Sequence, residues 1–360
     1  MRILVDARMY RGKMHGLARY VYCTVEAMAR QRPDWLFGVL EREGSLAELA
    51  RTLPNVEPVP VHSDPLTLQE HLEIPRVVQD WHPALFHTTT IAIPAGTRAR
   101  LVATVPDLTP YFFPRRPLRE KIYFRYFLPL VLRRARRILV YSEHTAQDLV
   151  KHLKTPRHKI AVCPLGVDPR LRTPLAPRDL EAARRAAGIP GPYFLCLANP
   201  KPHKNVSLLL AAWRQAALAA QLLLVSAPAP WLSEEVAATP GVVHRPEVAE
   251  EHLPALYQGA RALVIPSLYE GFGLPAAEAM AAGTPVLAAR AASLPEVVGQ
   301  AGLLFDPHRP DELARLLRQV DEDEELRRQM AQRGRERARG YTWEETARLH
   351  LEAYLASLRA

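Results

Sequence analysis

Two glutamates, Glu270 and Glu278, stand eight residues apart around the turn Gly271-Phe272-Gly273-Leu274-Pro275. The apolar run Ala262-Leu263-Val264-Ile265, closed by Pro266-Ser267, reads as a buried strand before it. A helical pattern from Leu274 to Ala282, ended by Gly283, follows. Glycines between a strand and a helix let the backbone approach a ligand, and the first helical turn offers N–H groups to an anion. Pro275 suits that turn, where its missing donor costs nothing. Carboxylates would repel a phosphate, so the two glutamates suit hydroxyl groups instead. A ligand with both a diphosphate and hydroxyls is a nucleotide sugar. The plain alternative is an ordinary strand-to-helix connection with both glutamates solvated. Gly271 to Ala276 also matches G-x-G-x-x-A, the dinucleotide pattern, which wants an acidic residue at a strand end about 20 residues on. Glu296 comes nearest, but Leu294-Pro295-Glu296-Val297 reads as a helix start.

Ligands of open parallel sheets bind beyond the carboxyl ends of the strands. The segment Lys201-Pro202-His203-Lys204-Asn205 follows a strand ending at Ala198, so it reaches such a position. Lys204 is the candidate for the β-phosphate, as a point charge that stabilises a departing diphosphate, and Lys201 shares the charge. The one acidic D-x-D match, Asp321-Glu322-Asp323, lies in a run of charges between late helices and reads as a solvated turn. No metal site and no cofactor are therefore expected.

The elements that must hold these groups follow from length and pattern. With 360 residues, 48% hydrophobic and 24% charged, the chain reads as a soluble enzyme of two domains. Cys23, Cys163 and Cys196 are far apart and odd in number, which fits a reducing cytosol better than a disulfide framework. The start, Met1-Arg2-Ile3-Leu4-Val5-Asp6, has the pattern of a strand with early charges rather than a signal peptide, and no apolar run is long enough to span a bilayer. A cytoplasmic location is expected. Short apolar runs alternate with helical patterns, the sign of βαβ units. Strands are expected at 3–5, 36–40, 85–87, 101–104, 138–141 and 160–162, with a loop through Arg11, Gly12 and Gly16 before a helix from Leu17 to about Ala29. Ser142 is placed to cap a helix. Pro164 to Pro177 reads as the connection between domains. A second set of strands is expected at 194–198, 222–226, 262–265, 285–288 and 303–305. Thr342-Trp343-Glu344-Glu345 has capping-box spacing, with Glu345 reaching back.

The basic excess is local. Residues 111–160 hold 13 Lys and Arg against Glu120, Glu143 and Asp148, while the whole chain carries only +9. Seven aromatics lie between Tyr111 and Phe127. Residues 111–137 are thus a candidate for peripheral contact with the inner face of a membrane, through Arg115, Arg116, Arg119, Lys121 and Arg125. A solvated helix face over a core of aromatics is the plainer alternative, and nucleic acid is not expected.

Together, the E-x7-E turn, the KPHKN segment, residues 264–307 and residues 138–168 resemble the retaining glycosyltransferases of family 4. The resemblance covers most of the chain. It implies an α/β, GT-B fold of two doubly wound Rossmann-like domains facing across a cleft, with a C-terminal helix crossing back to the first. On that basis the acceptor-side domain is 1–168 plus 342–360, and the donor domain is 169–341. Glu270 and Lys204 are carried over as the catalytic pair. Gly16, His203, Asn205, Gly271, Phe272, Gly273, Leu274 and Glu278 are carried over as donor contacts, Glu278 on the ribose. Gly16-Leu17-Ala18-Arg19-Tyr20 stands where the family shows a second glycine in place of Ala18. Val105-Pro106-Asp107-Leu108 stands where many relatives have a histidine in place of Pro106. Asp107 is left as a candidate for an acceptor hydroxyl, and His87 as a candidate imidazole there or a buried structural histidine. The resemblance implies metal-free transfer of a hexose, with mannose favoured, from a nucleotide diphosphate sugar to a saccharide or lipid-linked acceptor. The proton passes to the leaving group, with no protein base. The rivals are a nucleotide-sugar-binding protein of weak turnover and a GT-B sugar epimerase.

Overall fold

Runs of four or five apolar residues with no polar alternation must be buried on both faces, which only a parallel sheet covered by helices provides. The computed structural model describes residues 1–10, 16–42, 44, 46–65, 67–91, 94 and 96–359, apart from the side chains of Pro117 and Arg119. The expected loop through Arg11 and Gly12 lies outside the described residues. The chain divides into two units, Met1–Gly166 with Thr342–Ala360, and Val167–Tyr341.

In the first unit, β1 (Arg2–Asp6), β2 (Leu36–Glu41), β3 (Val56–Pro60), β4 (Leu85–Thr88), β5 (Arg100–Thr104), β6 (Arg137–Val140) and β7 (Ile160–Val162) form one sheet. Its order is β3-β2-β1-β4-β5-β6-β7, with every pair parallel. The order reverses between β1 and β4, where doubly wound sheets open a crevice. In the second unit, β8 (Tyr193–Leu197), β9 (Gln221–Val225), β10 (Val242–Arg245), β11 (Ala262–Ile265), β12 (Val286–Ala289) and β13 (Leu303–Phe305) run β10-β9-β8-β11-β12-β13, again all parallel. The same reversal falls between β8 and β11, and the loops after those two strands carry KPHKN and the E-x7-E turn.

The expected strands are present to within a residue or so at each end. Two were not expected, and both are sheet edges. β3 reads VEPVP, and proline is tolerated only where its missing N–H is not needed. Val61 N–H donates to the Glu41 carbonyl of β2 at 3.0 Å, so odd-numbered amides of this strand face β2. Pro58 and Pro60 therefore sit at the positions that face outward. β10 is four half-buried residues, too short and too polar to stand out.

Ser142 caps Glu143–Leu153 as expected, its Oγ accepting from Thr145 N–H at 3.2 Å. The final helix, Trp343–Arg359, belongs to the first unit and packs on Gly16–Gln31. Thr342 Oγ1 accepts from Glu345 N–H at 3.1 Å, the first half of the expected capping box. The second half is corrected. The Glu345 carboxylate is held by Arg348 at 2.5 and 2.7 Å, because a guanidinium one turn on binds both oxygens at once. Among the described residues Cys23, Cys163 and Cys196 form no disulfide.

Candidate functional site

The turn after β11 is built around Gly273, whose φ of +93° is a backbone conformation that L side chains rarely adopt. A Cβ there would also stand 2.7 Å from Leu294 Cδ2. Gly273 thus starts the helix Leu274–Ala282, with Pro275 in its first turn, and aims the helix's N-terminal amides at the carboxyl end of the sheet. Phe272 packs its ring edge-on against Tyr341, centroids 5.4 Å apart, which anchors the turn. Ser293 Oγ donates to the Glu270 carbonyl at 2.9 Å and fixes the start of the turn.

The loop after β8 is laced to it. Pro202–Lys204 is a 3-10 turn that ends at Asn205 in the left-handed region, φ +52°. The Asn205 amide donates to the carbonyls of Pro266 at 3.2 Å and Pro307 at 2.8 Å. Leu268 N–H donates to the carbonyl of His203, a buried residue, at 2.7 Å. The lacing sets Lys204 beside Glu270, and Lys204 Nζ donates to Glu270 Oε1 at 2.6 Å. Their side chains are 18% and 15% exposed, so the pair is shielded yet reachable. Lys201 accepts from Lys204 N–H through its carbonyl at 2.9 Å and caps the turn. Glu278 is buried one turn into its helix, where Tyr257 Oη donates to its Oε2 at 2.8 Å. Thr284 Oγ1 in turn donates to the Tyr257 carbonyl at 2.7 Å. Beneath the loop, burial pushes the Cys196 thiol up to about 12 against the pull of the Lys204 charge, so it is no nucleophile.

Asp321 is paired with Arg261, and Asp323 Oδ1 caps Leu326 N–H at 2.8 Å. The acidic triplet is therefore partly structural rather than simply solvated. Among the described residues no group of three or more acidic, histidine or cysteine side chains is placed to hold a metal ion.

In the first unit Gly16 opens the helix Gly16–Gln31, and a Cβ there would meet no described residue within 4 Å. Asp107 Oδ1 accepts from Thr109 N–H at 2.7 Å beside the short helix Thr109–Phe112, and Pro106 beside it is half-buried. His87 is 1% exposed and both of its ring nitrogens are engaged. The directions of its bonds can be deduced from the far end of a chain. His350 Nδ1 faces the Thr346 carbonyl at 2.7 Å, so that nitrogen carries the proton. Its Nε2 then accepts from the Tyr20 hydroxyl at 2.8 Å, and the Thr104 hydroxyl donates to Tyr20 at 2.8 Å. His87 Nε2–H donates to Thr104 at 2.8 Å, and the Tyr354 hydroxyl donates to His87 Nδ1 at 2.6 Å. Burial holds the His87 imidazole well below its usual range, helped by nearby His350, and holds His350 down to about 4. Both rings are neutral.

Two family models match the chain, "Glycosyl transferases group 1" over residues 181–337 and "Glycosyltransferase Family 4" over residues 14–171. The chain belongs to this glycosyltransferase family. The glycosyltransferase is 28% identical over 289 residues to the O-antigen chain mannosyltransferase B of Escherichia coli, which covers 77% of this chain and 75% of that protein. It is 36% identical over 253 residues to the MMP α-(1→4)-mannosyltransferase of Mycolicibacterium hassiacum, covering 67% of this chain and 59% of that one. Among solved structures, HepE of Anabaena in complex with UDP and glucose superposes with a TM-score of 0.77 at 21% identity, over 98% of both chains. A glycosyltransferase from Rickettsia africae also gives 0.77, at 16% identity, over 99% of this chain and 98% of that one. At such identities the likeness speaks for the fold, which is GT-B.

In this glycosyltransferase the structure brings together Lys204, Glu270, Gly271, Phe272, Gly273, Leu274 and the buried Glu278 within one unit. Asn205 braces the loops through its amide N–H groups. For His87 the buried structural alternative holds, since both ring nitrogens are engaged in the chain of hydrogen bonds. Tyr257 and Ser293, which orient Glu278 and Glu270, were missed. Tyr257 lies outside the resembling segments and Ser293 is one unmarked position within 264–307, and each contact joins residues more than 20 positions apart. Among the described residues no helix is long and apolar enough to cross a membrane.

Proposed function

We propose that this enzyme transfers mannose from GDP-mannose to a saccharide or lipid-linked acceptor, with retention and without a metal ion. The Lys204–Glu270 pair at the first turn of a helix carries the reading. The donor diphosphate takes Lys204 from Glu270, and the released carboxylate turns to a sugar hydroxyl. As the glycosidic C–O bond breaks, charge collects on the diphosphate, where Lys204 and the helix amides stabilise it. The acceptor proton passes to an oxygen of the leaving group. Glu278, oriented by Tyr257, takes the ribose hydroxyls. Mannose is favoured because two relatives are named as mannosyltransferases. Residues 111–137 rest on the cytoplasmic face of a membrane.

Melting curves in a panel of nucleotide sugars test the donor, since a ligand of the native state raises Tm by mass action. GDP-mannose should give the largest shift, and a larger shift with UDP-glucose would replace it. Saturating EDTA should leave transfer within about twofold, because fixed positive groups stand in for the cation. Complete loss restored by Mg²⁺ or Mn²⁺ would overturn the metal-free chemistry. Binding of the donor without transfer or hydrolysis would favour the binding-protein reading, which Pro106 in place of the relatives' histidine keeps open.

A further inference from the structure

The helix Pro117–Ile122 and the π-turn Tyr123–Phe127 that follows it wall a groove of about 890 Å³ in the first unit. Pro65, Thr67, Leu68, Glu70 and His71 also line it, with Ile91 and Pro110. These pieces follow β3, β4 and β5, so the groove lies beyond the carboxyl ends of the strands of this sheet, the end at which open parallel sheets bind ligands. Its interior is apolar, with Ile91, Ile122, Phe124 and Phe127 prominent.

The polar groups along it are already engaged within the chain. Thr67 Oγ1 donates to the Asp64 carbonyl at 2.7 Å, and the Tyr123 hydroxyl donates to the Ile91 carbonyl. Glu70 is paired with Arg8 at 3.0 Å, and the Glu120 carboxylate accepts the backbone N–H groups of Arg115 and Arg116 at 2.9 and 3.3 Å. The side chains of Arg115 and Arg116 are exposed and make no ion pair among the described residues. Leu68, in the lining, is 87% exposed. Leu118, Ile122, Tyr126 and Leu130 form an exposed stripe at four-residue spacing along the helical run. Apolar surface of this extent on one face marks a binding site.

A free saccharide needs hydroxyl partners, and among the described lining residues Thr67, Tyr123, Glu70 and Glu120 are committed within the chain. An apolar chain ending in an anion matches both its lining and its two arginines. We propose that the groove binds one molecule of an anionic amphiphile, with its chain along Ile122, Phe124 and Phe127 and its phosphate at Arg115 and Arg116. This binding does not rest on the transferase reading above.

Calorimetry with dodecyl phosphate below its micelle concentration tests it. Saturable binding to the wild type is expected, with none for inorganic phosphate and much less for dodecyl maltoside. Arg115→Ala/Arg116→Ala and, separately, Ile122→Asp should each weaken it at least about tenfold, the scale of one lost charged contact or apolar anchor. Both sets change exposed side chains and keep the Glu120 cap, and an unchanged urea midpoint with unchanged far-UV circular dichroism reports that the variants are folded. Unchanged dodecyl phosphate affinity in both, or equal binding of dodecyl maltoside, overturns the proposal. So does binding to anionic vesicles without binding to the monomer, which would assign the face to a membrane surface. Failure of GDP to bind the wild type would strike the donor reading and leave this one standing.

Discussion

The polar chain inside the first unit and the ion pair on the loops of the second handle buried polarity in opposite ways. In the chain, His87, Thr104, Tyr20, His350 and Tyr354 are neutral, and each bond has one direction. Nothing in it can exchange partners without orphaning a neighbour. The Lys204–Glu270 pair is charged, partly exposed and made of two long side chains, so either member can leave for a better partner. A closed neutral network specifies packing. An open charged pair waits for a ligand. The comparison separates structural from functional polarity more sharply than burial alone, since Glu278 is as buried as many core residues.

Four measurements can break or sharpen that contrast. The largest effect belongs to the pair. Glu270→Ala should lower kcat by about 10²–10³, the usual range for one lost preorganised contact, while Lys204→Ala and Glu278→Ala weaken GDP binding by calorimetry. Wild-type GDP affinity in both binding variants would remove the site assignment. Acid should act on the chain instead. An unfolded histidine titrates near about 6.5, while folded His350 is held down to about 4 and His87 also stays below its usual range. Between those values the unfolded state binds more protons. Stability from these rings is therefore complete above pH 6.5 and is lost as pH falls toward 4, by about 3 kcal/mol for His350. Urea midpoints across that window should drop steeply, and the drop should shrink in His350→Gln even though that variant is less stable at pH 7.

Next in size, Tyr20→Phe leaves His350 Nε2 without its donor and Thr104 without its acceptor. It should cost about 1–3 kcal/mol of stability. The kcat of the folded enzyme should stay unchanged, and a fall in kcat beyond the loss of folded protein would make the chain part of catalysis. The smallest effect is the most discriminating. Glu270→Gln removes the charge that competes for Lys204, so free GDP should bind several-fold tighter, within the roughly tenfold range of a partly shielded ion pair. Weaker GDP binding would mean that Glu270 orients Lys204 rather than masking it.

Most of the sheet core was legible in the sequence because central strands are buried on both faces and read as unbroken apolar runs. The edges were not, since β3 and β10 have only one neighbour and tolerate proline, histidine and arginine. Around the site, the motifs marked the right loops, and Ser142 and Thr342 showed their caps through short-range spacing. What spacing could not show is which side chains are already committed to one another. Asn205 looks like a ligand residue in KPHKN and proves to be a brace. His87 looks available on a strand and proves to be locked to Tyr354, 267 positions away. Glu345 had the offset for a capping box, but Arg348 offered it two bonds instead of one.

The prolines of β3 bear on how the molecule behaves in company. An exposed sheet edge recruits strands from other chains through its outward N–H groups. Here the Val56 amide is bonded back to the Leu53 carbonyl, and Pro58 and Pro60 have no N–H to offer. Three successive outward positions are silent, so this rim of a seven-stranded sheet presents carbonyls but no donors. A crowded solution of the enzyme is thereby protected from growing edge to edge at the one strand whose sequence least resembles a strand.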